Sequence, residues 1–534
     1  MTTLSDPSTA SAWGTRIARS TGGGVPFLQY EPRRHRLPEL LGDAARWGAR
    51  DHLVQGGRRV TFGGFLEAVE TVAGALRRRG VRPGDRVLLL AANSPEWVVS
   101  FWAAPRCGAV LAPGNGWWSE AEVDHAVRLV EPALVIGDPR RLAKVPRGAA
   151  TMEIAEVQGL VASAPRGAAL DAGEDAGDEH DPVLIVFTSG TTGLPKGATL
   201  AHRSVIANLH NLLAVSGRLP HQLRDDQPGV TSLLSGPLFH IGGIQAMSLA
   251  MMTGGTLAFL EGRFDPRQVL DLIERERVDV WGAVPTMALR VLDDPSLPGR
   301  DLGSVRSISL GGAPVPPELV GRLRAAFPNA DRGISTVYGM TETAGTVAAA
   351  SGATMARHPG TSGRPLAVVE LRVDRPDDSG VGEILVRTPG QMLGYWGESA
   401  SEVIDGEGFV HTGDLGRMVE GLLHLTGRSK DIVIRGGENI AAPHVEAVLL
   451  EHPGVSSVAV VGLPHGHLGE EVGAAVVARR GSALDEESLA AFLTGRLAHF
   501  EIPTRWWIWT DQLPANDAGK VDKRRLRETW PPCA

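Results

Sequence analysis

The sequence predicts an α/β protein: a large N-terminal domain of parallel αβ sheets with a small β-rich subdomain, followed by a small mobile α+β C-terminal domain. From about residue 37, helical patterns alternate with short apolar runs, which implies right-handed crossovers between parallel strands. Beyond Gly360 the pattern changes to short β-type runs separated by glycines, and after residues 427–431 it becomes compact α+β. We therefore expect one domain over residues 1–427 and a second over 428–534, with a hinge between them.

The spacing of apolar residues predicts each element of the N-terminal domain. In the helix expected over 62–79, Phe65, Val69, Val72 and Leu76 share one face. Further helices are expected over 96–107, 266–277 and 285–292, and strands over 86–90, 133–136, 183–187, 256–260, 278–283 and 307–310. Short strands over 383–387 and 422–426 belong to the β-rich subdomain. Two stretches without periodicity, 144–181 and 217–229, are expected to be surface excursions.

Composition excludes several classes of protein. A formal net charge of −8 provides no basic field for nucleic acid. The two cysteines, Cys107 and Cys533, lack metal-ligand spacing, so we expect neither a disulfide framework nor a structural zinc site. Residues 1–24 lack a secretory pattern, and polar residues interrupt the most apolar region, 87–113, so we expect no membrane span. These features favour a cytoplasmic enzyme, and a homodimer is a fair expectation for such an enzyme.

The segment 188–197, Thr-Ser-Gly-Thr-Thr-Gly-Leu-Pro-Lys-Gly, has the composition of a phosphate-binding loop. Its glycines expose backbone N–H groups, its hydroxyls donate to phosphate oxygens, and Lys196 adds a mobile positive charge. It is not a Walker loop, because Pro195 stands where the second glycine belongs and Gly197 follows the lysine. A flexible linker is the alternative interpretation. The buried strand predicted immediately before the loop favours a phosphate site.

Four more polar motifs are expected at strand ends: Pro-Leu-Phe-His at 237–240, Gly-Gly-Ala-Pro at 311–314, Tyr-Gly-Met-Thr-Glu at 338–342 and Thr-Gly-Asp at 412–414. Each alone is compatible with a packed histidine, a surface carboxylate or a turn. Around one nucleotide they are complementary. The open glycine backbone beside Tyr338 would admit a purine, Asp414 can accept from ribose hydroxyls, and Glu342 can hold a magnesium ion bridging phosphates. The set predicts an ATP site without Walker motifs.

With Gly-Arg-Ser-Lys-Asp at 427–431, Gly-Gly-Glu-Asn-Ile at 436–440, and Pro514 through Gly519 and Lys520, these motifs carry a family resemblance. In order and spacing the sequence resembles the AMP-forming acyl-CoA synthetases of the adenylate-forming superfamily, which includes nonribosomal adenylation domains and luciferase. The resemblance runs from about residue 37 to 526. It implies an N-terminal domain that holds ATP and acid, and a C-terminal lid domain.

The resemblance also implies a role for each matching residue. The phosphates of ATP would be held by Thr188, Ser189, Gly190, Thr191, Thr192, Gly193 and Lys196. Adenine would be flanked by Gly311, Gly312, Ala313, Pro314, Tyr338, Gly339, Met340 and Thr341. Ribose would be bound by Asp414 and Arg428, and magnesium by Glu342. Lys520, His240, Thr188 and Glu342 would take part in catalysis, Lys430 would be the hinge, and Gly436 and Gly437 would line a tunnel for the thiol.

The implied reaction is ATP-dependent carboxylic acid:CoA ligation, with ATP, Mg²⁺ and CoA as cofactors and co-substrates. A carboxylate attacks the α-phosphorus and expels pyrophosphate, and a thiol then displaces AMP from the acyl adenylate. The expected acyl pocket is lined by the small residues Gly242, Gly243, Ala283 and Gly312 and by the apolar residues Ile241, Val284 and Met340. A fatty acid or a bulky cyclic or aromatic acid would fit. Amino-acid-activating members of the superfamily usually carry an aspartate shortly after the residue that matches Phe239, and none follows it here, so the resemblance argues against an amino acid substrate.

Two alternatives stay open from the sequence: an adenylating enzyme that loads a separate acyl carrier protein, and a nonenzymatic nucleotide-binding sensor. Two departures from the family pattern accompany them. Ala441-Ala442-Pro443-His444 follows the 436–440 motif, where an aromatic residue and proline are usual, and Ala515 stands where a basic residue is common. The first suggests altered packing, and the second puts a phosphate or CoA contact at that position in doubt.

Overall fold

The computed structural model of the chain describes residues 12–20, 24–164, 177–188, 194–313, 315–428, 432–435, 438–465, 467–509, 511–516 and 519–531. Within these residues the strands form five sheets, and helices cover both large ones. The predicted fold class is confirmed: parallel αβ sheets build the N-terminal part, followed by a small antiparallel β-sheet and a smaller α+β part.

The elements follow one another along the whole chain. The strands are β1 Arg16–Ser20, β2 Phe27–Glu31, β3 Asp51–Gln55, β4 Arg58–Thr61, β5 Arg86–Leu90, β6 Val110–Pro113, β7 Leu134–Gly137, β8 Thr151–Glu153, β9 Pro182–Thr188, β10 Lys196–Ala201, β11 Thr231–Leu234, β12 Thr256–Phe259, β13 Val280–Ala283, β14 Ser307–Gly311, β15 Ile334–Met340, β16 Gly345–Ala350, β17 Arg364–Pro365, β18 Glu370–Asp374, β19 Gly382–Arg387, β20 Gly394–Tyr395, β21 Val410–Val419, β22 Leu422–Arg428, β23 Ile432–Arg435, β24 Glu438–Ala441, β25 Val455–His465, β26 Gly469–Ala478 and β27 Arg505–Trp509.

The α-helices are α1 Glu39–Ala44, α2 Phe62–Arg78, α3 Pro95–Arg106, α4 Glu120–Val130, α5 Pro139–Leu142, α6 Ile154–Ala162, α7 His202–Val215, α8 Ile241–Met252, α9 Pro266–Glu276, α10 Pro285–Leu292, α11 Pro317–Ala326, α12 Gly352–Arg357, α13 Ala442–Leu450, α14 Glu486–Leu493 and α15 Lys523–Glu528. Short 3-10 helices lie at Ala45–Trp47, Pro220–Gln222, Pro328–Gly333, Thr341–Thr343 and Ala400–Glu402. No helix among the described residues combines the length and apolar character needed to cross a membrane.

Two large sheets organise the N-terminal part. The first has the order β20-β10-β9-β6-β5-β7-β8 and is parallel from β9 to β8. The second has the order β17-β16-β15-β14-β13-β11-β12-β3-β4 and is parallel from β15 to β3. Helices α2, α3, α7 and α8 contribute to one apolar core together with strands of both sheets. The carboxyl ends of parallel strands share one edge, so residues distant in sequence meet there.

Local sequence signals explain where the core helices begin. Thr61 precedes α2, and its hydroxyl accepts a hydrogen bond from the backbone N–H of Gly64 at 3.2 Å. Ser94 caps α3 in the same way through the N–H of Trp97 at 3.2 Å, and Pro95 follows at the first helical position. The predicted apolar face of α2 is buried. The expected helices and strands are therefore present, with ends that differ by one or two residues.

The prediction of surface excursions was wrong for parts of both stretches. Within 144–181, β8 adds a strand to the first sheet, and α6 packs against α2 and α3 through the buried Val157. Within 217–229, Leu219 and Leu223 are buried in the main core. Single apolar residues at these places are too sparse to produce a periodic pattern, so their burial depends on tertiary contacts. Residues 165–176 of the first stretch lie outside the described residues.

The last sheet has the order β24-β23-β26-β25, with β27 pairing parallel to β26. Its core includes Val433, Val460 and Val476 and is separate from the cores of the N-terminal sheets. Residues 441–444, which depart from the family pattern, form the start of α13. His444 Nδ1 lies 3.0 Å from Glu501 Oε1. The boundary at 427/428 and the mobility of this part stay predictions.

Candidate active site

The predicted adenine motifs lie at the ends of two neighbouring strands. Strand β14 ends at Gly311, which pairs with Val337 of β15, one residue before Tyr338. Gly339 and Met340 complete β15, and Thr341 opens the short 3-10 helix that carries Glu342. Gly312 and Ala313 follow β14 directly, and Pro314 lies outside the described residues. The structure thus brings together two motifs that are about 25 residues apart in sequence.

Gly312 provides a close approach between the two parts of the chain. Its φ of +79° lies in the left-handed region, and a Cβ atom there would stand 3.1 Å from Lys520 Cε and 3.5 Å from Lys520 Nζ. Gly312 is itself exposed to the cleft. The lysine at the C-terminal end of the chain therefore reaches over the exposed glycine backbone beside Tyr338.

Tyr338, Asp414 and Arg428 form one hydrogen-bonded group. The Tyr338 hydroxyl donates to Asp414 Oδ2 at 2.7 Å, and Arg428 Nε donates to Asp414 Oδ1 at 2.8 Å. Asp414 is 5% exposed, and its strand β21 pairs with β22 so that Asp414 lies opposite Arg428. Burial, followed by the charge of Asp414, raises the pKa of Tyr338. The carboxylate is thus held in place by a buried phenol and a partly exposed guanidinium.

Tyr395, which was not predicted as a site residue, connects Glu342 with Thr188. The Tyr395 hydroxyl donates to Glu342 Oε1 at 2.7 Å, and Tyr395 also hydrogen-bonds with the Thr188 side chain. Burial, and then the charge of Glu342, raises the pKa of Tyr395. Tyr395 is positioned by β20, which pairs with β10 next to β9. Its signal in the sequence is weak: it is one of three tyrosines, but no motif surrounds it.

The donor set around Glu342 suits magnesium rather than a metal held wholly by protein. The described residues contain no group of three or more His, Cys, Asp and Glu side chains that could hold a metal ion. Mg²⁺ commonly binds through one or two carboxylates plus substrate phosphates and keeps several waters. Glu342, with Thr188 nearby at the start of the predicted phosphate loop, offers that kind of incomplete set. The residues therefore fit the ion that the family resemblance implies.

Lys196 lies at the start of β10, opposite Thr188 in the β9–β10 pair. Its Nζ is 2.8 Å from Glu398 Oε2 and 5.0 Å from the centre of the Tyr395 ring. Glu398 was not predicted as a site residue, and nothing in its sequence context identifies it. The predicted phosphate ligands Ser189, Gly190, Thr191, Thr192 and Gly193 lie outside the described residues, as do Lys430, Gly436 and Gly437.

His240 immediately precedes α8 and presents a neutral imidazole. Its Nε2 is buried without a hydrogen-bond partner among the described residues. Burial, and then the charge of Lys520, lowers the pKa of His240 to about 4. The imidazole is therefore uncharged at neutral pH, which the sequence alone could not establish. Its Nε2 atom therefore has unused hydrogen-bonding capacity among the described residues.

Lys520 belongs to a tight loop that docks on the N-terminal part. The Thr286 hydroxyl donates to the carbonyl of Gly519, and the backbone N–H of Lys520 donates to Asn516 Oδ1 at 3.0 Å. Burial and the charge of Arg428 lower the pKa of Lys520, whereas Asp414 and Glu342 raise it. The Lys520 ammonium therefore interacts electrostatically with Arg428 and Asp414, the predicted ribose ligands, and with Glu342, the predicted magnesium ligand.

A cavity of about 880 Å³ is lined by residues of this loop and of the N-terminal part. Its lining includes Phe239, Met287 and Gly519, and also Ala515, the position of the second sequence departure. Five cationic side chains line it as well: Arg140, Arg141, Lys144, Arg263 and Arg290. With Asp293 as the acidic residue of the lining, the cavity carries an excess of positive charge and reaches Phe239, the residue before His240, even though Ala515 supplies no charge.

Comparisons with known proteins identify the family of the chain. The chain matches the AMP-binding enzyme family over residues 42–396 and the AMP-binding enzyme C-terminal domain over 444–520. A feruloyl-CoA synthase from an Amycolatopsis species is 35% identical over 89% of this chain and 95% of its own. An indoleacetate–CoA ligase from Aromatoleum aromaticum is 33% identical over 88% of this chain and 93% of its own. The structure of ATP-bound MatB from Rhodopseudomonas palustris has a TM-score of 0.79 and 30% identity, covering 92% of this chain and 99% of its own.

Proposed function

Since the chain belongs to the AMP-binding enzyme family and is an AMP-forming acyl-CoA synthetase, we propose that it activates a hydrophobic carboxylic acid, with Lys520 as the lysine of adenylation. The family predicted from the sequence motifs is thereby confirmed, as is ATP-dependent acid:CoA ligation. The observation that carries the residue assignment is the position of Lys520, beside Gly312 and within the field of Asp414 and Glu342.

In the proposed first half-reaction, the nucleotide side of the site orients ATP. Each Asp414 oxygen accepts one hydrogen bond, from Tyr338 or Arg428, and accepts a further one from a ribose hydroxyl. Adenine lies along the accessible backbone at 311–313. Lys196 and the 188–193 loop bind the phosphates that leave as pyrophosphate. Glu342 and Thr188 would hold magnesium, which would neutralise charge on the phosphates. Alignment and charge neutralisation are the main tasks of a protein in phosphoryl chemistry.

Lys520 stabilises the charge that develops as the acid attacks the α-phosphorus. Its ammonium is partly buried, so its interaction with an anion is stronger than in water. The acid carboxylate enters from the His240 side, where the neutral imidazole offers a hydrogen bond without adding a charge. Two groups with different charge thus flank the reacting oxygen atoms.

The acid itself binds along the apolar first turn of α8. Gly242 and Gly282 have open space where a Cβ would stand, and Ala283, Val284 and Ile241 are small or apolar. Relatives named for ferulate and indoleacetate support a cyclic or aromatic acid over a small polar one. A fatty acid of medium length is the second member of the proposed class.

For the second half-reaction we propose free CoA as the acceptor. The cationic lining of the 880 Å³ cavity supports this choice, since CoA carries several phosphate groups. With Lys520 docked over Gly312, the C-terminal part covers the adenylation site, so rotation near Lys430 would separate the two steps. Gly436 and Gly437 would then line the thiol path. A cytoplasmic location and a homodimer stay predictions.

The test is ATP–pyrophosphate exchange with a broad panel of carboxylic acids, followed by mass spectrometry of the thioester formed with CoA. Exchange with hydrophobic acids and formation of acyl-CoA are the expected results. Replacing CoA by a phosphopantetheinylated carrier protein separates the two acceptors, because a carrier-loading enzyme would use only the latter. No exchange with any acid would support the nonenzymatic nucleotide-binding sensor instead.

A further inference from the structure

The side chain of Tyr395 contacts two charged groups that the proposed function assigns to different parts of ATP. Its hydroxyl donates to Oε1 of Glu342, the proposed magnesium ligand, at 2.7 Å. Its ring centre lies 5.0 Å from Nζ of Lys196, the proposed phosphate ligand. Glu342 and Lys196 come from distant segments of the chain, so one aromatic side chain connects two groups that no local motif places together.

The single hydrogen of the Tyr395 hydroxyl determines the direction of the bonds around it. An ionised carboxylate only accepts, so this hydrogen belongs to the bond with Glu342. In the second bond the Thr188 hydroxyl must therefore donate, and the Tyr395 oxygen accepts. Thr188 keeps the lone pairs of its own oxygen, and among the described residues none donates to Glu342 Oε2. One phenol thus holds two oxygen donors that can still bind a cation.

The backbone around Tyr395 is bonded to the same two segments. The N–H of Met392 donates to the backbone carbonyl of Glu342 at 2.8 Å, and Met392 is buried. The N–H of Trp396 donates to the carbonyl of Gly197, which directly follows the phosphate lysine, at 2.7 Å. Because both anchors are main-chain bonds, they are retained when the Tyr395 side chain is changed. A substitution there examines the hydroxyl and the ring and leaves the path of the chain in place.

A carboxylate and a ring together hold the Lys196 ammonium. Nζ lies 2.8 Å from Glu398 Oε2, and the Tyr395 ring lies within cation–π distance. The backbone N–H of Glu398 donates to the carbonyl of Tyr395 at 3.0 Å, so one turn presents both side chains to the lysine. The side chain of Lys196 is 30% exposed. Since an ammonium has three hydrogens, the bond to Glu398 leaves hydrogens for phosphate oxygens.

We propose that Tyr395 is a positioning residue for magnesium-bound ATP. Its hydroxyl aligns the oxygens of Glu342 and Thr188 for the ion, and its ring supports the Lys196 ammonium toward the phosphates. This inference rests on the proposed function and adds a residue through which its magnesium and phosphate ligands are coupled. The hydroxyl then contributes only to the part of ATP affinity that depends on magnesium. AMP, which lacks the β- and γ-phosphates, binds without this contribution.

The test is isothermal titration calorimetry of ATP and of AMP, each with magnesium and with a chelator, and without an acid, so that binding alone is measured. In Tyr395→Phe, ATP affinity with magnesium is expected to fall by about 10-fold, because a hydrogen bond to a charged group is lost. ATP affinity with chelator should be unchanged, since the ring remains. In Tyr395→Leu the ring is lost as well, and ATP affinity with chelator should also fall by about 3-fold. AMP affinity should be retained in both variants.

The other two tyrosines of the chain provide matched controls. Tyr30 belongs to β2 and stacks on His210 with ring centres 4.3 Å apart. Tyr30→Phe removes the same atom as Tyr395→Phe and should change none of the affinities. Tyr338→Phe removes the hydroxyl that donates to Asp414. It should weaken AMP and ATP by a similar factor, with magnesium or with chelator, because the ribose is common to both.

The Tyr395→Phe variant decides the inference, even if Tyr395→Leu does not fold. Retention of the full gain in ATP affinity from magnesium in Tyr395→Phe would overturn it. An equal loss of ATP and AMP affinity in that variant would also overturn it, since that result indicates a purely structural role. ATP affinity of the unchanged protein that does not depend on magnesium would overturn it together with the assignment of Glu342. Absence of ATP–pyrophosphate exchange with any acid would instead contradict the proposed function.

Discussion

The nucleotide side and the acid side of the cleft are built by different physical means. On the nucleotide side, Asp414 and Glu342 are charged groups held by tyrosine hydroxyls from distant segments. On the acid side, an apolar helix face carries a neutral histidine at its beginning and one amide, that of Gln245, further along. Under the proposed assignment, the nucleotide side binds the triphosphate with preorganised charge, whereas the acid side selects its ligand by shape and by a few polar atoms.

Removal of the Lys520 ammonium is expected to impair adenylation more than any other change described below. We expect Lys520→Ala to lower adenylation by about 100- to 1000-fold, because one preorganised charge is lost from the transition state. Thioester formation from supplied acyl adenylate should be largely retained. The two rates are measured by ATP–pyrophosphate exchange and by acyl-CoA formation.

Lys523→Ala serves as the control for Lys520→Ala. Lys523 lies three residues away and pairs with Glu446 at 2.7 Å within the C-terminal part. It should leave both half-reactions near their original rates. Equal losses of adenylation and thioester formation in Lys520→Ala would contradict the separation of the two steps.

Low pH is expected to destabilise the fold through the neutral histidines, of which His240 lies on the acid side of the site. The pKa of His240 is lowered from 6.5 to about 4, and burial does the same to His52, His202 and His210. Between pH 6.5 and 4 the unfolded chain binds protons that the folded chain does not, so stability falls as the pH falls through this window. Each histidine contributes a slope of up to about 1.4 kcal/mol per pH unit.

The measurement for this prediction is urea unfolding at pH 7, 6 and 5, with His240→Gln as the variant. In His240→Gln the dependence of the unfolding free energy on pH should become shallower by about 1 kcal/mol per pH unit. An unchanged slope would show that His240 is charged in the folded protein or is not the group responsible.

Substitution of Asp414, the carboxylate proposed to bind ribose, is expected to have a smaller effect, on the KM for ATP. Asp414→Asn keeps the shape of the side chain but removes the charge that pairs with Arg428 and that we propose accepts from the ribose hydroxyls. A lost hydrogen bond to a charged group corresponds to about a 10- to 100-fold rise in the KM for ATP. Steady-state kinetics with varied ATP measure it.

Asp405→Asn is a suitable comparison for Asp414→Asn, since Asp405 pairs with Arg372 at 3.1 Å in an ion pair outside the site. Its KM for ATP should stay unchanged. A similar rise in both variants would mean that Asp414 acts through stability alone.

The smallest effect is expected where the two sides meet, at Gly312. In Gly312→Ala the new methyl group meets Lys520 at about 3.1 Å, so we expect roughly a 10-fold loss of adenylation. The left-handed backbone also costs about 1–2 kcal/mol of stability. Adenylation rate and thermal midpoint are measured together.

Gly360→Ala separates these two effects. Gly360 has a φ of +77°, close to the +79° of Gly312, but open space where its Cβ would stand. It should lose similar stability and keep its adenylation rate. If Gly360→Ala lost activity as Gly312→Ala does, backbone strain rather than contact with Lys520 would be the cause.

Several features of the site were predictable because they reside in short segments. The motif at 338–342 combines a ring, an open backbone and a carboxylate within five residues, and the alternation of strands and helices placed it at a strand end. Tyr395 and Glu398 were missed, because their partners Glu342 and Lys196 are 53 and 202 residues away. Hydrogen bonds of such sequence separation leave no local pattern. The burial of Leu219 and Leu223 was missed for the same reason.

The sequence by itself determined the fold class, the family and the residue types of the proposed ATP site, since periodicity and motif spacing are local properties of the chain. Only the tertiary structure decided the charge of His240, the contact of Lys520 with the backbone at Gly312, and the partners of the Tyr395 hydroxyl. Each of these depends on burial or on a partner from a distant segment. Desolvation and hydrogen-bond geometry arise only when the chain is folded.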